Sequence, residues 1–171
     1  IGIGSDFFIE LSKVRTLRWL WEHILRKNDI TIPKTFILGR TGWTNKSLKD
    51  PDTNILRQTT EAISSVSGGV SSILIHSSHT YSIESDNWFY KRLALNISHI
   101  LKEESYLSKV NDPMRGAYII EKMTLVLIQK CWTQFLKFTA IETRSSIVEL
   151  LKESVDKTRT KKLTAFKEGK H

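Results

Sequence analysis

The chain has 171 residues, 40% of them hydrophobic and 26% charged, which suits a globular protein with one sizeable core. No apolar run nears the roughly 20 residues that cross a bilayer, and a single cysteine, Cys131, excludes an internal disulfide and fits a reducing, cytoplasmic setting. The formal net charge of +8 would suit nucleic acid, an anionic membrane surface or a phosphate-bearing small molecule, but it crowds into Lys152, Lys157, Arg159, Lys161, Lys162, Lys167 and Lys170, where a solvated helix face is the plainer explanation.

In chain order, Ile1-Gly-Ile-Gly4 reads as the end of a strand entering a helix. With no closing element after residue 164, the sequence reads as a piece of a longer protein, cut at both ends. Over 6–27, Phe7, Leu11, Val14, Leu17, Trp21, Ile24 and Leu25 line one helical stripe, and Ser5 or Asp6 can cap it. Residues 34–39, after Pro33, form a short apolar run with β-branched and aromatic members, which predicts a buried strand. A polar loop then ends at Asp50-Pro51-Asp52, where either aspartate can cap the next helix. That helix covers 53–67, with Ile55, Leu56, Thr59, Ala62, Ile63 and Val66 on one face. Gly68-Gly69 stops it, because glycine takes the left-handed conformation cheaply. Residues 70–76, Val-Ser-Ser-Ile-Leu-Ile-His, are a second buried strand. Strand, helix and strand make a βαβ crossover, the unit of parallel sheets, so the fold class is α/β.

The polar loop 77–82 sits at the C-terminal end of that strand, where ligands gather in parallel α/β folds. A helix is expected over 85–102 with Phe89, Leu93, Ile97, Ile100 and Leu101 on one face. Turn residues fill 111–116, 117–120 looks briefly extended, and a long helix over 124–138 turns Leu125, Ile128, Trp132 and Phe135 inward. A weaker helix covers 145–155, and the tail is helical at most.

Spacing alone shows little chemistry. There is no His/Cys cluster at metal-ligand spacing, no Gly-x-Ser-x-Gly elbow and no Walker pattern. His76 and His79 lie close together at a strand end, though a satisfied polar loop explains such a pair as well. Cys131, inside a helix beside Trp132, reads as core rather than nucleophile. Glu103-Glu104 reads as solvated. Trp21 and Trp132 read as core residues rather than base-stacking platforms. No residue is assigned as catalytic or as a metal ligand.

Several stretches resemble the methylmalonyl-CoA mutase family, and their order and spacing together carry the resemblance. They are the run from Gly2 through the Phe7-Phe8 pair, Glu10 and the Arg15 to Trp21 helix; Thr41-Gly-Trp43, Asp50-Pro51, Asn54-Ile-Leu-Arg57 and Thr60-Glu-Ala62 through Gly68-Gly69; and Leu93-Ala94, Asn96, Glu103-Glu104-Ser105, Val110, Asp112-Pro113, Gly116, Tyr118 and Glu121. The resemblance implies the C-terminal part of a (β/α)8 TIM barrel with trailing helices. Residues 1–110 would be the last strands and helices of the acyl-CoA-binding barrel, and 111–171 a helical extension after it.

The resemblance further implies isomerisation of methylmalonyl-CoA and succinyl-CoA with adenosylcobalamin. The corrin would be held outside this chain, which lacks the family's Asp-x-His-x-x-Gly motif. In the family the CoA chain threads the barrel axis, which requires small hydrogen-bonding side chains where an ordinary barrel carries Val, Ile and Leu. The implied CoA- or barrel-lining candidates are Arg40, Thr41, Ser71, Ser72 and His76. The family's catalytic subunit reads Gly-Gly-Thr-Gln-Ser-Leu-His-Thr where this chain reads Gly68-Gly-Val-Ser-Ser-Ile-Leu-Ile75. Its glutamine and histidine are thus replaced by Ser71 and Leu74. Before the Gly-Trp, its Gln-Thr-Ser is replaced by Gly39-Arg40-Thr41. Such losses leave nothing to orient a thioester or carboxylate. They are similar to the departures of the family's small, non-catalytic subunit, which pairs with a large catalytic chain in a heterodimer. The expected role is structural, in assembly, with no nucleic-acid or membrane partner. The alternatives are the catalytic subunit of a related acyl-CoA mutase and, from another class, a basic helical nucleic-acid-binding module.

Overall fold

Three short strands, β1 (Gly2–Ile3), β2 (Leu38–Thr41) and β3 (Ser72–Leu74), form a sheet in the order β1-β2-β3. Both pairings are parallel, with Gly2 opposite Arg40, Leu38 opposite Ser72 and Arg40 opposite Leu74. The structure is a computed structural model and describes residues 1–31, 35–80, 87–141 and 144–169. Two compact units, 1–129 and 130–171, divide the chain.

Parallel strands need a crossover, and helices supply it here. The first helix, α1 (Phe7–Lys27), joins β1 to β2, and α2 (Asn54–Ser67) joins β2 to β3. Asp6 caps α1 by accepting from the Ile9 N–H at 3.1 Å. Asp50 accepts from the Thr53 N–H and hydroxyl just before α2, so the expected aspartate cap acts one residue outside the helix. Gly69, at φ +89°, reverses the chain into β3. Thus the βαβ reading of 34–76 holds, although the strands are shorter and shifted. The first covers 38–41 rather than 34–39, whose start at Lys34 lies outside the described residues. The second shrinks from 70–76 to three residues.

Side chains alternate across the sheet. Ile3, Gly39 and Thr41 point to one face and are buried, whereas Gly2, Leu38, Arg40, Ser72 and Leu74 share the other and are exposed. Among the described residues of the unit 1–129, the helices α1 and α2 pack on the first face. Val14 of α1 packs with Ile3, Ile37 and Val70. Ala62, Ile55 and Ile63 of α2 pack with Ile73, Ile75 and two residues that follow, Ile97 and Leu101. Ile97 belongs to α3 (Trp88–His99), which runs on into a π turn at Ile100–Glu104 containing Leu101. The expected start of that helix at Ser85, like the expected loop residues Tyr81 and Ser82, lies outside the described residues.

The expected inward faces need correction on four helices. On α3 and its π turn, Ala94, Ile97 and Leu101 are buried, while Phe89 and Ile100, both expected inside, are exposed. On α1 the buried residues are Leu11, Ser12, Val14 and Thr16, while Leu17 and Trp21 are exposed. On α2 the polar stripe Asn54, Gln58, Glu61, Ser64 and Ser65 is buried, and Leu56 is 68% exposed. The helix has two covered sides: Ser64 donates to the Phe7 carbonyl of α1 at 2.7 Å, and the aliphatic side meets α3. The next helix, α4 (Tyr118–Thr139), buries Ile120 and Thr124 while exposing Leu125 and Phe135. Its first turn occupies the segment read as extended. Gly116, at φ +84°, turns the chain, and its N–H donates to the Glu121 carboxylate at 3.0 Å, closing that turn.

In the unit 130–171, Trp132 stacks on Phe135 of the same helix at 5.3 Å. Cys131 is exposed, contrary to the core reading, because it falls on the solvent side of α4. The last helix, α5 (Arg144–Lys167), is longer than the expected 145–155 and carries the lysine-rich tail as far as Lys167, Lys170 lying outside the described residues. Among the described residues no helix is long and apolar enough to cross a membrane.

Candidate functional site

The C-terminal ends of β2 and β3 bring together side chains that lie far apart in sequence. Thr41, at the end of β2, is fully buried on the helix-covered face, and its hydroxyl accepts from the His76 N–H at 3.1 Å. That bond fixes the chain where it leaves β3. The His76 ring packs on Trp43 with centroids 3.8 Å apart, and the Arg40 guanidinium lies 5.7 Å from the Trp43 ring. Such a cation over an indole is attracted by the ring quadrupole. The result is an Arg40–Trp43–His76 stack at the strand ends.

Burial, reinforced by the positive charges of Arg40 and Lys46, lowers the His76 pKa. Its Nε2 is buried without a hydrogen-bond partner. A neutral imidazole is therefore the favoured form beside two cations.

Beneath the stack lies a charged knot. Glu61 of α2 is 2% exposed. Its carboxylate accepts from the Gly42 N–H at 3.1 Å, the Asn45 side-chain amide at 2.6 Å and the Lys46 ammonium at 2.5 Å. Lys46 also donates to the Asn45 side-chain oxygen at 3.1 Å. Burial lowers the Lys46 pKa, and the bond to Glu61 works against that. Seven residues earlier on the same helix face, Asn54 accepts from the Ser47 N–H at 2.9 Å and donates to the Ser47 carbonyl at 2.9 Å and the Ser78 carbonyl at 3.2 Å. One helix face thus holds both strand-end loops. In the second loop, Ser78 contacts His79 Nδ1 at 3.0 Å, and the His79 ring stacks on Tyr90 of α3 at 3.4 Å.

Of the candidates named from sequence, Arg40, Thr41 and His76 meet at this end. Ser71 and Ser72 stand at the other end of β3. Ser71 accepts from the Ile37 N–H at 3.1 Å, tying the two strands at their starts, and Ser72 is exposed on the open face. Both border a cleft of about 730 Å³ that also touches Phe36, Leu101, Lys102 and Asp112. Sequence reasoning gave no site role to Trp43, Lys46, Asn54 or Glu61. The available signal was the three- and four-residue spacing of Asn54, Gln58, Glu61 and Ser65, a polar stripe opposite the aliphatic one. Among the described residues no three His, Cys, Asp or Glu gather as a metal site.

A parallel βαβ unit with its polar cluster beyond the C-terminal strand ends is the arrangement by which α/β proteins present ligand sites. The chain belongs to the methylmalonyl-CoA mutase family, whose model matches residues 1–170. It is similar to the methylmalonyl-CoA mutase small subunit of Porphyromonas gingivalis, 37% identical over 141 residues that cover 79% of this chain and 22% of the relative. The methylmalonyl-CoA mutase of Cereibacter sphaeroides is 32% identical over 138 residues, 77% of this chain and 19% of the relative. The mitochondrial methylmalonyl-CoA mutase of Bos taurus is 30% identical over 179 aligned positions, 99% of this chain and 22% of the relative. The chain thus spans about a fifth of the length of these curated relatives.

Proposed function

We propose that this chain is the C-terminal part of the acyl-CoA barrel in the small, non-catalytic subunit of an adenosylcobalamin-dependent methylmalonyl-CoA mutase, a cytoplasmic isomerase, and that it serves structure and assembly. Residues 1–110 would belong to the (β/α)8 barrel and 111–171 to the helical extension. One observation carries the reading. The face of the sheet turned away from the helices exposes Leu38, Leu74 and Arg40 and continues to Phe36. Parallel sheets are stable with both faces covered, so this face suits the interior of a barrel completed by the rest of a longer protein.

On that reading Arg40 and Ser72 face the barrel axis, where an acyl carrier would lie. Ser71 is engaged by the neighbouring strand, and Thr41 and His76 hold the rim. Positions 71 and 74 carry Ser and Leu, not the Gln and His of the catalytic type, so this chain supplies no polar pair to orient a thioester. Adenosylcobalamin would supply radical chemistry from a site outside this chain. The chain has no Asp-x-His-x-x-Gly run, and none of its residues is assigned a cofactor contact.

The test is to purify the full-length protein alone and together with a mutase chain that bears the cobalamin motif, then assay methylmalonyl-CoA isomerisation with added adenosylcobalamin. Co-purification with turnover only in the complex is expected. Turnover by this protein alone would instead establish the alternative, a catalytic acyl-CoA mutase subunit. A nucleic-acid-binding role has only net charge behind it. Filter binding of DNA at two salt concentrations should show no retention, whereas retention with a steep salt slope would favour that role.

A further inference from the structure

We propose that Glu61 is a positioning residue: its buried carboxylate, paired with Lys46, sets the loop after β2 and thereby places the Arg40–Trp43–His76 stack. The inference goes beyond the functional reading above and holds whichever mutase subunit the chain belongs to.

Glu61 meets the loop at three points. It accepts from the Gly42 backbone, the Asn45 amide and the Lys46 ammonium, three of about four acceptor directions available to a carboxylate. Gly42 and Asn45 flank Trp43 and Thr44, so the backbone that carries the indole is held on both sides by one group. The loop has no slack on its other side. A Cβ at Gly42 would lie 2.6 Å from the Ile3 carbonyl oxygen, so the chain already passes hard against the end of β1. Trp43 therefore has its place fixed from beneath by Glu61 and laterally by β1. His76 then stacks on the indole while Thr41 holds its N–H.

A buried charge pair is poor value for stability alone, since apolar replacements of similar volume are often as stable. What it supplies is geometry: a carboxylate that fails to meet these three donors is left buried and uncompensated, so only one loop placement is tolerated.

The experiment uses the full-length protein labelled with 5-fluorotryptophan, with the Trp43 fluorine resonance assigned by its loss in Trp43→Phe. Glu61→Gln should displace or broaden the Trp43 resonance while those of Trp19 and Trp21 stay in place. Lys46→Met removes one of the three donors without leaving a buried cation, and should displace the same resonance in a protein that still folds. Ala62→Gly, a destabilising change on the same helix that touches none of the loop donors, is the control and should leave Trp43 unmoved. A Trp43 resonance unchanged in Lys46→Met and in folded Glu61→Gln would overturn the proposal. So would an equal displacement in Ala62→Gly, because the effect would then follow helix stability and not the carboxylate.

Discussion

Arg15 shows how one side chain ties distant stretches together. From α1 it donates to Asp112 at 3.0 Å and to Glu121 at 2.8 Å. The bond from Arg15, then the Gly116 N–H, holds the Glu121 carboxyl below the usual carboxylate range. Its folded pKa lies below its unfolded one, so the stabilisation is present above about pH 4.3 and is lost as pH falls through the folded value. The Glu121 side chain is 40% exposed, and screening limits the contribution to under about 1 kcal/mol. Glu121→Gln should therefore lower the urea midpoint at neutral pH and converge with the wild type in acid. A gap that is constant with pH would contradict this. His76 has a different signature. Its folded pKa is lowered by burial and neighbouring cations, so the folded state binds fewer protons than the unfolded one. Stability is full above about pH 6.5 and declines as pH drops from there toward the folded value. His76→Gln should remove that decline, as read by urea midpoints across the same pH range.

At the scale of elements, the turn between α2 and β3 separates two kinds of glycine. A Cβ on Gly69 would meet nothing within 4 Å, but its φ is +89°. Gly69→Ala should cost about 1–2 kcal/mol through backbone conformation alone. Gly68 has ordinary helical dihedrals, yet a Cβ there would lie 2.7 Å from the Leu11 carbonyl oxygen of α1. Gly68→Ala should cost more, because two backbones must move apart. Thermal unfolding of both variants checks the order, and equal midpoints would refute it. Asn54→Ala should cost about 1–3 kcal/mol by stranding the Ser47 and Ser78 backbone groups that it serves. The crossover itself was legible in the sequence, because Gly68-Gly69, the apolar runs and the aspartate cap are local signals. The covered faces of α1, α2, α3 and α4 were not. Periodicity identifies an apolar stripe but does not reveal that polar residues such as Asn54, Glu61 and Ser64 will also find partners. Leu56 and Trp21, both on expected inner stripes, are exposed for that reason.

For the whole molecule, the open face of the sheet is the feature with consequences. Leu38 and Leu74 are 46% and 48% exposed, and Phe36 is 72% exposed. An apolar parallel sheet face that no described residue covers invites association. If the proposed barrel-interior reading holds, residues 1–171 produced alone should bind a hydrophobic dye and self-associate, whereas a longer chain that completes the barrel should not. A monomeric, dye-silent fragment with a cooperative thermal transition would contradict both that expectation and the barrel-interior reading. The order of elements, the parallel crossover, the turn at Gly69 and the family were all determined by the amino-acid sequence. Capping, turn chemistry and short apolar runs act over a few neighbouring residues, and motif order survives without coordinates. Only the tertiary structure decided that Thr41 supports His76 from the helix side, that Ser71 serves the adjacent strand, and that Glu61 and Asn54 hold two loops at once. Those contacts join residues 16 to 35 positions apart or leave a strand end by way of another element. Whether a buried polar group is satisfied depends on such partners, which no local pattern records.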